Sequence, residues 1–343
     1  MKPGVDNGTA GESSGANGVT TARPRSGTKR VLWGIALVII LAVLAAVPWM
    51  GSPVIVQFGI SVLIMATLAQ GWNIIGGYTG YPSFGNSVFF GLGAYGVGIA
   101  MVTYGQPFWV GMLLGLALGV AFALALGVPV LRLKGHYFAI ATLGLAQVMT
   151  AIVSNIGIAG QNIGLVLPLL KSEWLFYELA LGLMALATLT VYWLSRSRFG
   201  FGLIAIRENE EGAKVMGVNT TLYKVLAFAL SAAFTALAGG IYAYYITFID
   251  PVGVFDISLN VKMIIMAIFG GPGSVFGPVA GAFILSAISE VLATRVTSVA
   301  AMFFGIVIVI AVIFMPRGIA DVIQNFKRTG WRYFSENVRT HRL

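Results

Sequence analysis

The sequence predicts an all-α polytopic membrane protein with about ten transmembrane helices, one or two of them short or broken. Three observations predict this fold class. Of the 343 residues, 58% are hydrophobic and only 10% are charged, whereas soluble domains carry about 25% charged residues. Apolar runs of about 20 residues recur along the whole chain, and a helix of that length spans a hydrocarbon core of about 30 Å. The runs are continuous and do not alternate between apolar and polar residues, which excludes a transmembrane β-barrel.

The apolar runs divide the chain into a membrane domain with a tail at each end. The ten predicted spans are 31–50, 53–76, 84–104, 107–131, 136–157, 174–195, 224–248, 257–270, 275–293 and 298–315, of which 257–270 is short. Residues 1–30 hold too little apolar surface to fold, so they are predicted to be a disordered tail. Residues 31–315 form the predicted transmembrane domain, and residues 316–343 form a basic tail.

The distribution of positive charge predicts the orientation. If the spans alternate from a cytoplasmic N-terminus, 18 of the 21 Lys and Arg residues fall on the cytoplasmic side, in the two tails, near residues 132–136 and in the loop 196–224. Basic loops resist translocation, so this asymmetry is expected of cytoplasmic segments. Both termini are therefore predicted to be cytoplasmic. The net charge of +9 is explained by topology and by attraction to anionic membrane lipid, not by nucleic-acid binding.

The sequence contains no pattern typical of a catalytic site. Cysteine is absent and only two histidines occur, so no disulfide, thiolate or histidine-based metal site is predicted. No phosphate-binding GxxxxGK[ST] motif occurs, so a nucleotide would have to be bound by another subunit. We therefore predict neither catalytic residues, nor metal ligands, nor a cofactor on this chain.

Two glycine-rich segments interrupt the apolar runs in a similar way. The first segment is residues 76–85 and the second is residues 270–278. The predicted helix breaks are Gly76, Gly77, Gly80, Gly270, Gly271 and Gly273. Matching interruptions in two halves of a membrane protein often mark a transport site. The span order places both segments on the same side of the membrane, which an inverted repeat would not do, so an internal repeat and a chance similarity both remain open.

Polar and small residues within the spans suggest two further roles. Asn73, Asn86, Thr142 and Gln147 are candidates to line a substrate path, although hydrogen bonding between helices is the commoner role of such side chains. No carboxylate is predicted deep within a span, so a proton relay is not visible. Small residues recur at spacings of four, a pattern typical of close helix packing; they are Gly111, Gly115 and Gly119, and Ser231, Thr235 and Gly239 beside Ala232, Ala236 and Gly240.

The loop 196–224 is the longest predicted cytoplasmic connection between spans. Residues 201–216 are predicted to form one short amphipathic helix with apolar contacts from Ile204, Ala205, Val215 and Met216, closed by Gly217 at its C-terminal cap. This helix is either a solvated connector with mixed charges or a docking helix that fits a groove on a soluble partner.

Several motifs of this chain resemble those of one transporter family. Glu211-Gly212-Ala213-x-x-x-Gly217 is similar to the Glu-Ala-Ala-x-x-x-Gly loop of ABC importer permeases, and Ala205-Ile206-Arg207-Glu208-Asn209 has the form found in branched-chain amino acid permeases. Residues 77–95, 131–142 and 270–282 match the same family in the same order. Over residues 53–320 the chain resembles branched-chain amino acid permeases of the LivM type.

The resemblance implies a fold, a function and a set of partners. It implies the ABC importer permease fold in a bacterial inner membrane, with transport of branched-chain amino acids or a related small amphipathic solute. The implied partners are a second permease subunit of the LivH type, two cytoplasmic ATPase subunits that use ATP and Mg, and an extracytoplasmic solute-binding protein. Arg207, Glu208, Glu211, Ala213 and Gly217 would contact the ATPase. The alternative is an ion-coupled secondary transporter of small solutes.

Overall fold

The computed structural model describes residues 42–49, 52–169 and 172–295, and it confirms the predicted helical architecture. Numbered from Pro53, the helices are α1 Pro53–Trp72, α2 Asn86–Gly98, α3 Phe108–Val130, α4 His136–Asn155, α5 Glu173–Leu194, α6 Arg198–Glu208, α7 Glu210–Val215, α8 Thr220–Ile246, α9 Pro251–Val254, α10 Ile257–Gly270 and α11 Gly277–Arg295. Helix α1 continues as a π-helix over Asn73–Tyr78, and α2 continues as one over Ile99–Thr103. Two short 3-10 helices, Gly157–Ala159 and Gln161–Ile163, follow α4.

Among the described residues, seven helical segments are long and apolar enough to cross a membrane. They are Pro53–Tyr78, Asn86–Thr103, Phe108–Val130, His136–Asn155, Glu173–Leu194, Thr220–Ile246 and Pro251–Gly270. The apolar stretch Gly277–Val291 is shorter. The predicted span 298–315 and most of the predicted span 31–50 lie outside the described residues. The predicted count of about ten helices therefore stays a prediction.

One small sheet joins two connections between the long helices. Strand β1, Leu165–Val166, pairs antiparallel with strand β2, Phe248–Ile249, with Leu165 opposite Ile249. The loop after α4 is thereby attached to the end of α8. Both connections lie at the end of the bundle remote from the loop 196–224.

Close packing of α2, α3 and α8 forms the centre of the bundle. A methyl group on Gly115 would lie 2.7 Å from the carbonyl oxygen of Gly93, and one on Gly93 would overlap the carbonyl of Ala236. One on Gly119 would lie 2.8 Å from Cβ of Ala236. The predicted small-residue faces thus lie at helix contacts, where the absence of side chains lets the backbones approach.

Large apolar side chains face outward on α3 and α4. Leu113, Ile140 and Val148 are each more than half exposed. In water such surfaces would favour association, whereas in a bilayer they contact lipid or another membrane subunit. The exposed faces therefore agree with the predicted membrane environment.

Candidate functional site

The loop 196–224 contains two helices, so the prediction of one helix over residues 201–216 is wrong. Helix α6 ends at Glu208, and Asn209 is extended, with φ −159° and ψ 104°. The Asn209 side chain accepts a hydrogen bond of 2.9 Å from the backbone N–H of Gly212 and so caps α7. Asparagine competes with the helical backbone for hydrogen bonds and is favoured at N-caps, which explains the interruption.

The predicted role of Gly217 as a C-terminal cap is confirmed. Gly217 has φ +86°, in the left-handed region that favours glycine. Its N–H donates to the Lys214 carbonyl, and the Val218 N–H donates to the Ala213 carbonyl, each at 3.0 Å. This pair of bonds is the Schellman motif, which satisfies the last carbonyls of α7.

The loop helices bury a different set of apolar residues from the predicted one. Leu203, Ile206 and Ala213 are buried against the bundle. Val215 and Met216, which were predicted to supply apolar contacts, are 87% and 84% exposed. The end of α7 thus presents two apolar side chains that the described part of the chain leaves uncovered.

The two glycine-rich segments lie in contact with each other, which confirms that both are at the same side of the bundle. Oδ1 of Asn73 accepts a hydrogen bond of 2.7 Å from the Gly273 N–H, and its Nδ2 donates to the Ser274 carbonyl at 2.9 Å. Nε2 of Gln70 donates to the Val275 carbonyl at 2.6 Å. The side-chain amides of Gln70 and Asn73 thereby attach the second segment to α1 and to the π-helix that continues it.

Of the three breaks predicted in the first segment, Gly80 is confirmed, whereas the prediction is wrong for Gly76 and Gly77. Gly76 and Gly77 remain helical within the π-helix Asn73–Tyr78, and the chain leaves the helix only at Gly80, which has φ +74°. In the second segment α10 ends at Gly270, and Gly271 and Gly273 have positive φ, as predicted for a break. Within the π-helix, the backbone of Gly77 approaches Gly273 closely. A methyl group on Gly77 would lie 2.5 Å from the Gly273 nitrogen.

Arg207 of the loop reaches this contact. Its Nη1 donates a hydrogen bond of 2.9 Å to the Gly77 carbonyl, and its Nη2 lies 3.0 Å from Oε1 of Glu208. A methyl group on Gly273 would lie 2.8 Å from Nη1 of Arg207. We call the group Asn73, Gly77, Arg207 and Gly273 the junction. The junction thus links α6 to the π-helix that continues α1 and to the segment that follows α10.

A buried charge cluster, which the sequence analysis missed, attaches α7 to the bundle. The Lys224 ammonium donates to Oε1 of Glu210 at 2.9 Å, to the Leu131 carbonyl at 3.0 Å and to the Tyr81 hydroxyl oxygen at 2.9 Å. The Tyr81 hydroxyl donates to Oε2 of Glu210 at 2.6 Å. The side chains of Lys224 and Glu210 are only 5% and 13% exposed. The signal was a lysine at the start of an apolar span, since such a residue usually requires a partner.

The environment of the cluster favours the charged form of Glu210. Burial opposes its ionisation, but hydrogen bonds from Tyr81 and Lys224 and the charges of Lys224 and Lys214 outweigh burial and hold its pKa below the ordinary value. Burial and the adjacent Glu210 carboxylate raise the pKa of Tyr81, so its hydroxyl stays protonated as a donor. The cluster is therefore a fully bonded ion pair at neutral pH.

This lowered pKa predicts a dependence of stability on acid. A carboxylate with a lowered folded pKa stabilises the fold above its unfolded pKa, and the contribution is lost as the pH falls through the folded pKa. We expect the melting temperature in detergent to fall as the pH drops below 4.5, the ordinary glutamate value. In Glu210→Gln the fall over the same range should be smaller. An identical pH dependence in both proteins would contradict the prediction.

The other predicted loop residues form exposed ion pairs. Glu211 lies 2.8 Å from Lys134 and 3.3 Å from Lys214. The hydrogen bond with Lys134 lowers the pKa of Glu211 and raises that of Lys134. The side chains of Glu211 and Glu208 are 66% and 71% exposed, so water screens these pairs and they stabilise the fold little.

The four residues predicted to line a substrate path make different contacts. Asn73 belongs to the junction, and Thr142 accepts a hydrogen bond of 3.0 Å from the Phe84 N–H, which attaches the first segment to α4. Asn86 is buried and donates to Oγ of Ser231 at 3.1 Å. Gln147 lies on the exposed face of α4 and is not near the junction. Their role in a path stays a prediction.

Together, the apolar helices, the contacting glycine-rich segments and the loop helices define a membrane transport subunit. The family model described as branched-chain amino acid transport system, permease component, matches residues 54–312. The chain belongs to this family of permeases.

Curated relatives agree with the family. The LivM high-affinity branched-chain amino acid permease proteins of Salmonella typhimurium LT2 and Escherichia coli K12 are each 28% identical over 338 residues, which cover 89% of this chain and 78% of each relative. The autoinducer 2 import system permease LsrC of Yersinia pestis Pestoides F is 30% identical over 218 residues, 57% of this chain and 59% of that protein. These relatives are permease components, not enzymes. No solved structure matches the chain.

Proposed function

We propose that this chain is the membrane permease subunit of an ATP-binding cassette importer for branched-chain amino acids in a bacterial inner membrane, with both termini cytoplasmic. The observation that carries the proposal is the junction, in which Arg207 of the loop 196–224 donates to Gly77 beside Gly273. Membership in the permease family and the resemblance to LivM support the solute class.

The proposed mechanism moves α6 and α7 together. Cytoplasmic ATPase subunits bind ATP and Mg and contact the exposed residues Glu208, Glu211, Val215 and Met216 of the loop. Closure of the ATPases displaces the loop helices. Because the Glu210–Lys224 pair attaches α7 to α8, this movement also reaches α8. Arg207 then displaces the ends of α1 and α10. The substrate path opens alternately to the two sides as these helices shift.

The complete importer contains further subunits. A second, LivH-type permease lies beside this chain in the membrane, and an extracytoplasmic solute-binding protein delivers the solute. The apolar faces of α3 and α4 offer surfaces for the second permease or for lipid.

Removing the exposed apolar residues of α7 should release the ATPase. We expect the double variant Val215→Ser, Met216→Ser to lose co-purification of the ATPase from mild detergent by tenfold or more, because burial of two such side chains contributes about 3 kcal/mol. The melting temperature of the permease should stay unchanged, since both side chains are exposed. Val252→Ser is the matched control, because Val252 is 68% exposed and lies in α9, beyond the end of α8 that is remote from α7.

Two results would contradict the proposed function. The first is equal ATPase recovery with the double variant and the control. The second is uptake of leucine into proteoliposomes that persists without the ATPase and collapses when an ion gradient is removed. That second result would favour an ion-coupled secondary transporter.

A further inference from the structure

A groove lies at the end of the bundle remote from the junction. It has a volume of about 360 Å³ and is lined by α1, α8, α10 and α11. Its residues with polar side-chain atoms are Gln57, Ser61, Tyr245, Lys262, Ser286, Ser289 and Glu290. Gln57 and Ser61 are four positions apart on α1, and Ser286 and Glu290 are four positions apart on α11, so each pair shares one helical face. We call this feature the Lys262 groove.

The groove places an ammonium group within a membrane-spanning segment. Lys262 is half-buried and belongs to the apolar segment Pro251–Gly270. Among the described residues, no carboxylate lies within ion-pair distance of its ammonium. An ionisable residue in such a segment is costly and typically marks a path for a polar or charged solute. Lys262 therefore requires an anionic group that the described part of the chain does not provide.

A carboxylate of opposite charge lies in the same groove. Glu290, on α11, has no ion pair with any described residue and does not pair with Lys262. Gln57 of the groove also donates a hydrogen bond of 3.2 Å to Glu173 of α5. The groove thus offers one cation and one anion on two helices, together with the hydroxyl groups of three serines.

A small zwitterion carries the two charges that are complementary to Lys262 and Glu290. We propose that the Lys262 groove binds the α-carboxylate and α-ammonium groups of a free amino acid, with Lys262 pairing to the carboxylate and Glu290 to the ammonium. Val54, Phe58, Met65 and Met266 offer apolar contacts for an aliphatic side chain. A neutral amide or urea would leave both charges unpaired, which is unfavourable.

The position of the groove connects it to the junction, and this part of the inference rests on the proposed function. Groove residues lie on α1 and α10, and the junction residues Asn73 and Gly273 follow the ends of these two helices. From Ser61 to Gln70 the helical rise is about 13 Å. The groove is open while the glycine-rich segments are in contact. A shift of the junction would therefore open a path on the junction side of a solute that is already bound in the groove.

The absence of native cysteine allows a direct test. The reporter is Ser61→Cys in the full chain, expressed with its native partners in right-side-out membrane vesicles. It is labelled with a membrane-impermeant maleimide without ATP. Leucine at ten times its dissociation constant should slow labelling about tenfold, since only the ligand-free fraction reacts. Gln106→Cys, an exposed loop position outside the groove, is the matched control and should label at a constant rate.

Analogues of leucine and a second substitution assign the charges. Leucine amide lacks the carboxylate, and 4-methylpentanoate lacks the ammonium, so each should protect Ser61→Cys more weakly than leucine. Added Lys262→Gln should weaken protection by leucine about tenfold or more but leave protection by leucine amide unchanged. Added Glu290→Gln should likewise weaken protection by leucine but leave protection by 4-methylpentanoate unchanged. A bound lipid headgroup would instead keep labelling slow in every arm, including the one without leucine, and would overturn the proposal.

Two other results would also overturn the inference. One is equal protection by leucine and both analogues. The other is protection neither by leucine nor by a mixture of the twenty protein amino acids. The labelling assay needs no ATP, so its outcome is distinct from that of the proposed function. If leucine protects but ATP-driven uptake into proteoliposomes is absent, the importer mechanism fails while the zwitterion site stands.

Discussion

Gly77→Ala is expected to reduce ATP-driven uptake by tenfold or more while the bundle stays folded. The added methyl group would lie 2.5 Å from the backbone nitrogen of Gly273 and would overlap Oδ1 of Asn73. The backbone of the second segment cannot rotate away as a flexible side chain would, so the two segments must separate. Overpacking of this kind costs about 1–3 kcal/mol. The separation also displaces the Gly77 carbonyl, which accepts the hydrogen bond from Arg207.

The measurement is uptake of leucine into proteoliposomes that contain the assembled complex, together with the melting temperature. Gly144→Ala is the matched control, because a methyl group there would meet nothing within 4 Å. Within helix α4 this change should stabilise the helix by about 0.5–1 kcal/mol or have no effect. If Gly77→Ala and Gly144→Ala transport equally, the junction has no role in coupling.

Lys224→Met is expected to give the largest loss of stability among the loop variants. Removal of one partner of a buried ion pair costs about 3–5 kcal/mol, because the remaining charge is left unpaired. Here the Glu210 carboxylate would lose its closest cation, and the Leu131 carbonyl would lose its donor. We expect a lower melting temperature and loss of ATPase co-purification, because α7 is no longer held against α8.

Lys214→Met provides the comparison for this effect. Its ammonium lies 3.7 Å from the same carboxylate oxygen but is 45% exposed, so its removal should cost at most about 1 kcal/mol. The double variant Glu210→Gln, Lys224→Met should recover part of the stability, since no buried charge remains unpaired. Equal melting temperatures for Lys224→Met and Lys214→Met would show that the cluster does not hold the loop.

Features that depend on local pattern were predictable from the sequence. The apolar runs predicted the seven long apolar helical segments between Pro53 and Gly270, because a continuous run of the right length has one stable arrangement in a bilayer. Gly217 was recognised as a cap because a left-handed residue after a helix is usually glycine. The helix break at Asn209 was missed because apolar spacing continues across it. The cap at Asn209 depends on one side-chain hydrogen bond, which the apolar spacing does not reveal.

The sequence by itself thus determined that the chain is a helical membrane permease. It also identified the loop and the two glycine-rich segments, which are in contact in the structure. Only the tertiary structure decided which residues meet. Arg207 reaches Gly77 across 130 positions, and Tyr81 meets Lys224 across 143. It also brought Lys262 and Glu290 into one groove. The physical reason is that hydrophobic periodicity specifies which face of a helix is buried, whereas the partner on that face is selected by packing of the whole bundle.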